Sequence, residues 1–207
     1  MTLEERLRDL ARRHGPGVAV DDERLTDEAP EVFRHAAVLV PFVDRPEPSL
    51  LLTRRPAHMR DHAGQVAFPG GRVDPGDRDV VATALREAWE EVRLPTDAVK
   101  VIGTMAPYRT FHRFHITPVL AVIPPDLPLM PDPSEVARVF EVSCDHVFDP
   151  SRLVQKWVEM PQGRRDYWEV HADGERIWGI TARMIRAIGE TFGLDAEPAM
   201  LNRAMTP

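Results

Sequence analysis

The chain has 207 residues, enough for a sizeable core and suited to one domain better than two. Hydrophobic residues make up 43% and charged residues 29%, an ordinary globular balance. Acids exceed bases, 33 against 26, for a formal net charge of −7, which argues against a nucleic acid or an anionic membrane held by a general basic field. Leu3, Leu7, Leu10 and Ala11 recur at helical spacing and predict an amphipathic helix over 2–14, stopped by Gly15, Pro16 and Gly17. With Glu4, Glu5 and Asp9 and no apolar core segment, this N-terminus lacks the pattern of a secretory or transit signal. Residues 18–34 are acidic and irregular, a lead-in that sets 1–34 apart from the remainder of the chain. The longest apolar stretch, 36–43, is too short to span a bilayer, so the expectation is a soluble, cytoplasmic protein with no membrane partner.

Residues 36–43 and 49–54 are apolar runs split by Asp44-Arg45-Pro46-Glu47-Pro48 and predict two strands joined by a turn. Residues 56–79 hold many turn formers, and a loop of that length points to function or disorder. The helical period returns over 80–92, where Val81, Ala84, Leu85 and Ala88 share a side until Pro95. Strands are predicted over 99–104 and 116–123. Pro124, Pro125, Pro128, Pro131 and Pro133 mark a stiff surface loop before a strand over 135–142 and a short helix over 145–153. Short strands follow over 157–160, 167–170 and 176–178, then a helix over 181–192 with Gly193 as its C-cap and a loose tail over 195–207. Strands and helices interleave, giving an α/β or α+β layered class.

The chemistry gathers in Gly70-Gly71-Arg72-Val73-Asp74-Pro75-Gly76-Asp77 and Arg86-Glu87-Ala88-Trp89-Glu90-Glu91. Glu87, Glu90 and Glu91 stand at i, i+3 and i+4 and project from one side of a helix. Like charges there repel; a bound divalent cation reverses the sign, and Mg2+ and Mn2+ favour oxygen donors. Adjacent glycines let backbone approach a cation or a phosphate without a Cβ between them. Alone, E-x-x-E-E is most simply a solvated acidic helix face. The preceding Phe68-Pro69-Gly70-Gly71 and the adjoining Arg86 point instead to a site for a cation and a diphosphate.

These residues resemble the Nudix box, G-x5-E-x7-R-E-U-x-E-E-x-G-U, where U is a bulky apolar residue. Gly71 opens it, Asp77 stands at the first acid, and Arg86 through Leu94 close it. Four positions depart: Asp77 replaces Glu, eight residues rather than seven precede Arg86, Ala88 is small, and Arg93 replaces the glycine. That last change bears on how the helix ends, because a left-handed cap favours Gly. Upstream, residues 51–71, from Leu51-Leu52-Thr53-Arg54-Arg55-Pro56 to Phe68-Pro69-Gly70-Gly71, are similar to L-L-T-x-R-[SA]-x3-R-x3-G-x3-F-P-G-G. That is the signature of the coenzyme A pyrophosphatase branch, and only Pro56 departs from it. Ile177-Trp178-Gly179-Ile180-Thr181-Ala182-Arg183 is similar to that branch more weakly. Chance is a poor explanation for two motifs in correct register.

The resemblance implies a Nudix domain over 35–194, an α/β/α sandwich around a mixed sheet with a loop–helix–loop motif. It implies hydrolysis of coenzyme A, or a derivative of it, to adenosine 3′,5′-bisphosphate and 4′-phosphopantetheine with Mg2+ or Mn2+. By position, Glu87 and Glu91 would be the principal metal ligands, Glu90 a ligand or one acting through water, and the Gly70 carbonyl a further donor. Arg86 would orient the glutamates through charge-assisted hydrogen bonds. Glu87 is one candidate general base, and Glu135, emerging from the Pro-rich loop, is another or else a surface acid. Arg55 and Arg60, with Gly70 and Gly71, are candidates for contacting the substrate. Other readings are a Nudix hydrolase of ADP-ribose, NADH or an oxidised nucleotide, and a non-catalytic binding module that would have no need of all three acids.

Other constellations carry less. Cys144, the only cysteine, reads as a buried small hydrophobe rather than a nucleophile. His58 with His62 and His112 with His115 have helical spacing but no evident third ligand, so ordinary hydrogen bonding is expected. Asp74, Asp77 and Asp79 lack the spacing of a calcium loop. Neither G-x4-G-K-[ST] nor G-x-S-x-G occurs. Trp157, Trp168 and Trp178 read as packing residues, with adenine stacking the alternative.

Overall fold

Two near-continuous apolar runs, buried on both faces, set the architecture, as the central strands of a layered α/β fold must be. The computed structural model describes residues 1–15, 17, 20–21, 32–59, 61–110, 113–160 and 163–192. In chain order its elements begin α1 (Leu3–Arg13), β1 (Val20–Asp21), β2 (Arg34–Val43), β3 (Ser49–Arg54), β4 (Val66–Ala67), β5 (Gly70–Arg72) and α2 (Val80–Val92). They continue β6 (Lys100–Thr104), β7 (Tyr108–Arg109), β8 (Phe114–Ile123), β9 (Arg138–Ser143) and α3 (Cys144–Val147). Last come β10 (Val154–Met160), β11 (Gly163–Ala172), β12 (Glu175–Trp178) and α4 (Ile180–Thr191).

The two apolar runs, β2 and β8, pair in parallel over their full length, Arg34 opposite Phe114 through Val43 opposite Ile123. Antiparallel partners flank them: β6 and β7 beside β8, β3 beside β2 and β9 beside β3, so the sheet is mixed. Alternation divides the core into two. Ala37, Leu39 and Val43 of β2, with Val119, Ala121 and Ile123 of β8, pack under Ala84, Ala88 and Val92 of α2. Val40, Phe42, Leu120 and Val122 face the other way, toward Leu7 and Leu10 of α1 and Ala182, Ile185 and Ile188 of α4. Val170, Ala172 and Ile177 from the antiparallel sheet β10-β11-β12 join that second layer. The α/β/α sandwich around a mixed sheet is therefore the architecture found.

The site is placed by a split in the sheet. β2 and β3 pair only at Phe42–Leu50 and Val43–Ser49. Beyond that they diverge, and the segment Val66–Arg72 enters the gap: β4 bonds to β3 at Thr53 and Arg54, and β5 bonds to β2 at Ala36, Ala37 and Val38. The Leu39 amide donates to the Pro69 carbonyl at 2.8 Å, pinning the turn between them. A loop over all of 56–79 is thus corrected: two short strands lie inside it, too short to leave a period in the sequence.

Two other expectations are corrected. The helix predicted over 145–153 is one turn, because the Asp149 carboxylate takes the amide and hydroxyl of Ser151 at 2.9 and 2.7 Å and holds a turn there. The strand predicted from 135 begins at Arg138, since the amides of Glu135 and Val136 donate to the Asp132 carbonyl instead of to a neighbouring strand. The expected roles of Arg60, His112, Gly193 and the tail 195–207 lie outside the described residues. Among the described residues no helix is long and apolar enough to cross a membrane.

Candidate active site

Helix α2 starts at Asp79, whose carboxylate accepts from the Ala82 amide at 2.8 Å. It ends at Arg93, which takes the left-handed conformation (φ 56°, ψ 34°) that the family motif assigns to glycine. The Arg93 amide bonds to the carbonyls of Ala88 and Trp89, and its guanidinium lies 5.6 Å from the Trp89 ring centroid. The Pro-rich loop caps the same end: Met130 and Asp132 amides donate to the carbonyls of Val92 and Glu91 at 2.9 and 2.8 Å. That tether brings Glu135, exposed in the following turn, within electrostatic reach of Glu87 and Glu91.

The three glutamates part company. Glu91 is buried, 4% exposed, and the side chain of Glu87 is 14% exposed. Glu90, with 49% of its side chain exposed, turns to the Arg86 Nη1 at 2.9 Å. Burial pushes the Glu91 carboxyl up to about 8; the charges of Glu87 and Glu135 add to the rise, while Arg55 and the Gly70 amide oppose it. Burial likewise raises Glu87, against the pull of Arg86. The Oε2 atom of Glu91 is buried and without a hydrogen-bond partner. Two crowded carboxylates, one with an orphaned oxygen, form a donor set that fits a hard divalent cation. Among the described residues no third Asp, Glu, His or Cys side chain joins them in a metal-holding group, which suits an ion that keeps waters and contacts substrate oxygens.

The glycines make room for this pair. A Cβ on Gly71 would lie 2.5 Å from the carboxylate carbon and both oxygens of Glu87. At Gly70 it would meet the backbone of β2, 2.6 Å from the Val38 Cα. Gly71 therefore admits the acid, and Gly70 admits the strand.

Arg86 is the hub. Its Nε and Nη2 bond both oxygens of Asp77 at 3.0 Å, Nη2 also reaches the Arg72 carbonyl at 2.9 Å, and Nη1 bonds Glu87 and Glu90 at 2.9 Å. Asp77 in turn accepts from the Asp74 amide at 2.9 Å and the Thr83 hydroxyl at 2.8 Å. The Arg86 fork, helped by that amide and hydroxyl, holds the Asp77 carboxyl far below the usual range, and Asp77 raises Arg86 in return. The shorter acid and the extra loop residue offset each other, so the loop is still fastened to the helix.

Arg55 lines a cleft of about 490 Å3 together with Arg54, Gln65, Glu175, Arg176 and Trp178. Its Nε is buried without a partner, and its charge acts on Glu91. No motif in the sequence singles out Arg54, Gln65, Glu175 or Arg176 for this cleft. The one available signal was the i, i+2 spacing of Arg176 and Trp178, which puts them on one face of a strand. His62 bonds Gln65 at 2.9 Å, an ordinary polar role. His115 packs edge-on against His35 with centroids 4.9 Å apart. Cys144 is buried, and burial pushes its thiol up to about 12, so it is inert packing.

Residues 33–164 match the family model described as the NUDIX domain. The chain is 41% identical over 161 residues to an uncharacterized Nudix hydrolase, NudL, of Yersinia pestis (strain Pestoides F), covering 78% of this chain and 81% of the relative. The NudL of Yersinia pseudotuberculosis serotype O:1b (strain IP 31758) matches to the same extent. Among solved structures, a Nudix hydrolase from M. smegmatis, RenU, superposes with a TM-score of 0.48 at 25% identity, over 56% of this chain and 74% of that one. Nudix enzymes open diphosphate linkages and in general use divalent cations, and by its matched domain and its identity to NudL this chain belongs to the Nudix hydrolase family.

Proposed function

We propose that the chain hydrolyses the diphosphate of coenzyme A or a close derivative, giving adenosine 3′,5′-bisphosphate and 4′-phosphopantetheine, with Mg2+ or Mn2+ as cofactor. The observation that carries this reading is Arg55, the arginine of the 51–71 signature, which lines the cleft and whose charge acts on the Glu91 carboxylate. A residue there meets the substrate on one side and the hydrolytic acids on the other.

Glu87 and Glu91 would hold the cation, with the Gly70 carbonyl as a further donor and Glu90 acting through water from its place beside Arg86. When bound, the cation supplies charge neutralisation at the diphosphate oxygens and acidifies water. Arg86 positions Glu87 and, through Asp77 and the Arg72 carbonyl, the glycine turn. Arg55 and Arg60 stabilise anionic oxygens of the substrate. Water attacks one phosphorus, the bridging P–O bond breaks and the other phosphate leaves with the bridging oxygen, while Glu135 or Glu87 accepts the proton of the water, a step worth roughly 10² to 10⁴ in rate. The 1–34 lead-in, the 35–194 hydrolase domain and the 195–207 tail would be its functional divisions.

The test is metal-dependent product release over coenzyme A, acyl-coenzyme A, ADP-ribose, NADH and oxidised dNTPs. The reading expects the highest kcat/KM for coenzyme A or an acylated form. Preference for ADP-ribose, NADH or a dNTP would replace the substrate and keep the site. No turnover of any of them with either metal would leave a binding module.

A further inference from the structure

The cleft beside Arg55 has more to recognise than a diphosphate. Its volume, about 490 Å3, lies in the range of sites that take nucleotide-sized ligands, roughly 300 to 1,000 Å3. Its lining carries three arginines, Arg54, Arg55 and Arg176, against one acid, Glu175, in a chain whose net charge is −7. A local excess of cations in an acidic protein focuses the field on an incoming anion. Two of those guanidinium groups are held in advance. Arg54 Nη1 bonds Glu175 at 3.1 Å. Arg176 Nε donates to the buried Glu169 at 2.6 Å, its Nη2 donates to the Tyr167 hydroxyl oxygen at 3.1 Å, and its guanidinium lies 5.1 Å from the Trp178 ring centroid. Groups fixed in this way lose little freedom on binding. In the proposed reaction only Arg55 of the three acts at the acid pair, so Arg54 and Arg176 are placed to meet a part of the ligand away from the scissile bond.

We propose that this cleft receives the substrate half bearing an aromatic base and a phosphate outside the scissile diphosphate. Arg54 and Arg176 are the specificity-determining contacts to that extra phosphate, and Trp178 is the wall for the base. This rests on the proposed hydrolysis at the Glu87–Glu91 site and adds to it the residues that would read the ribose phosphate of the substrate. A phosphate monoester carries about −1.5 to −2 at neutral pH and accepts guanidinium pairs at two or more oxygens.

Binding without turnover tests it. Calorimetric titration of the full chain with adenosine 3′,5′-bisphosphate and with 5′-AMP is expected to give roughly tenfold to a hundredfold tighter binding of the bisphosphate, as one or two charge-assisted bonds supply. The Arg54→Gln/Arg176→Gln pair should reduce the preference to under about threefold. Arg176→Lys, which keeps the charge beside Glu169 but not the fork, should fall between. The ratio of kcat/KM for coenzyme A over dephospho-coenzyme A should shrink in parallel through KM. A merely structural role would weaken both nucleotides equally. Equal affinities in the wild type, or an unchanged preference in a folded double variant, overturn the assignment; if that variant does not fold, Arg54→Gln alone and the wild-type comparison decide. Hydrolysis of coenzyme A and dephospho-coenzyme A at equal efficiency would remove the cleft's role and keep the proposed activity. Hydrolysis of ADP-ribose but not coenzyme A would remove the activity and leave the binding ratio to judge the cleft.

Discussion

Gly71→Ala loads the site at its tightest approach. The new Cβ would stand 2.5 Å from three atoms of the Glu87 carboxylate, where ordinary contact begins at 3.4 Å. The difference, 3.4 − 2.5, requires that carboxylate to retreat by 0.9 Å, and the retreat strains its 2.9 Å bond to Arg86. Displacing a reacting group by about 1 Å costs on the order of a hundredfold in rate. The obstructed atoms end a flexible side chain, so the backbone can stay where it is and melting should shift by less than about 3 °C, under roughly 1 kcal/mol. Steady-state kcat/KM for coenzyme A, with thermal melts of the cation-free protein, measures both. Gly70→Ala is the contrasting control, because its Cβ meets the β2 backbone, which cannot yield so cheaply. It should lose stability along with activity. Wild-type kcat/KM for Gly71→Ala at an unchanged melting temperature would falsify the placement of Glu87 in the reaction.

Mn2+ at about a hundred times its dissociation constant should raise wild-type melting by roughly 5–10 °C, and Glu91→Gln should abolish that rise together with turnover; a retained rise would remove Glu91 as a ligand. Arg86→Ala should cost about 2 kcal/mol of stability and more than a hundredfold in kcat, because it frees Asp77, Glu87 and the glycine turn at once; near-normal kcat would make the hub structural only. For Glu169, 2% exposed, burial pushes the carboxyl up, but hydrogen bonds from Lys156, Arg176 and His171 outweigh it and bring it down to about 2. A depressed acid stabilises the fold above its unfolded value near 4.5 and loses that contribution as pH falls toward 2. Glu169→Gln should therefore melt lower than wild type at pH 7, with the gap closing between pH 4.5 and 2.5; a gap independent of pH would refute the assignment.

The long elements were legible because their signal is periodic. The 36–43 and 116–123 runs and the 80–92 helix report burial on two faces or on one stripe, and those are the central strands and α2. The spacing of Glu87, Glu90 and Glu91 reads by itself as a solvated face, and only the preceding Phe68-Pro69-Gly70-Gly71 and the adjoining Arg86 point to a site there. What the sequence hid depends on tertiary pairing. β4 and β5 are two and three residues long and exist only because β2 and β3 diverge. Their i, i+3, i+4 positions on one helix edge suggest that Glu87, Glu90 and Glu91 act together, yet Arg86 draws Glu90 outward while burial holds Glu91 in. Arg54, Glu175 and Arg176 meet across more than a hundred residues of chain, a distance no local pattern encodes.

The divergence of β2 from β3 also separates two design tasks. The segment between Arg55 and Gln65 is closed at its neck by the Arg55 amide on the Gln65 carbonyl at 2.9 Å. Just beyond, β4 is fastened to β3 and to the Thr181 hydroxyl, which donates to the Val66 carbonyl at 3.0 Å. An exchanged or lengthened 57–64 segment would thus leave the Gly70–Gly71 turn where it is. Changes of length or sequence on that lobe can therefore be made while the Gly70–Gly71 turn, anchored to the opposite strand, stays in register.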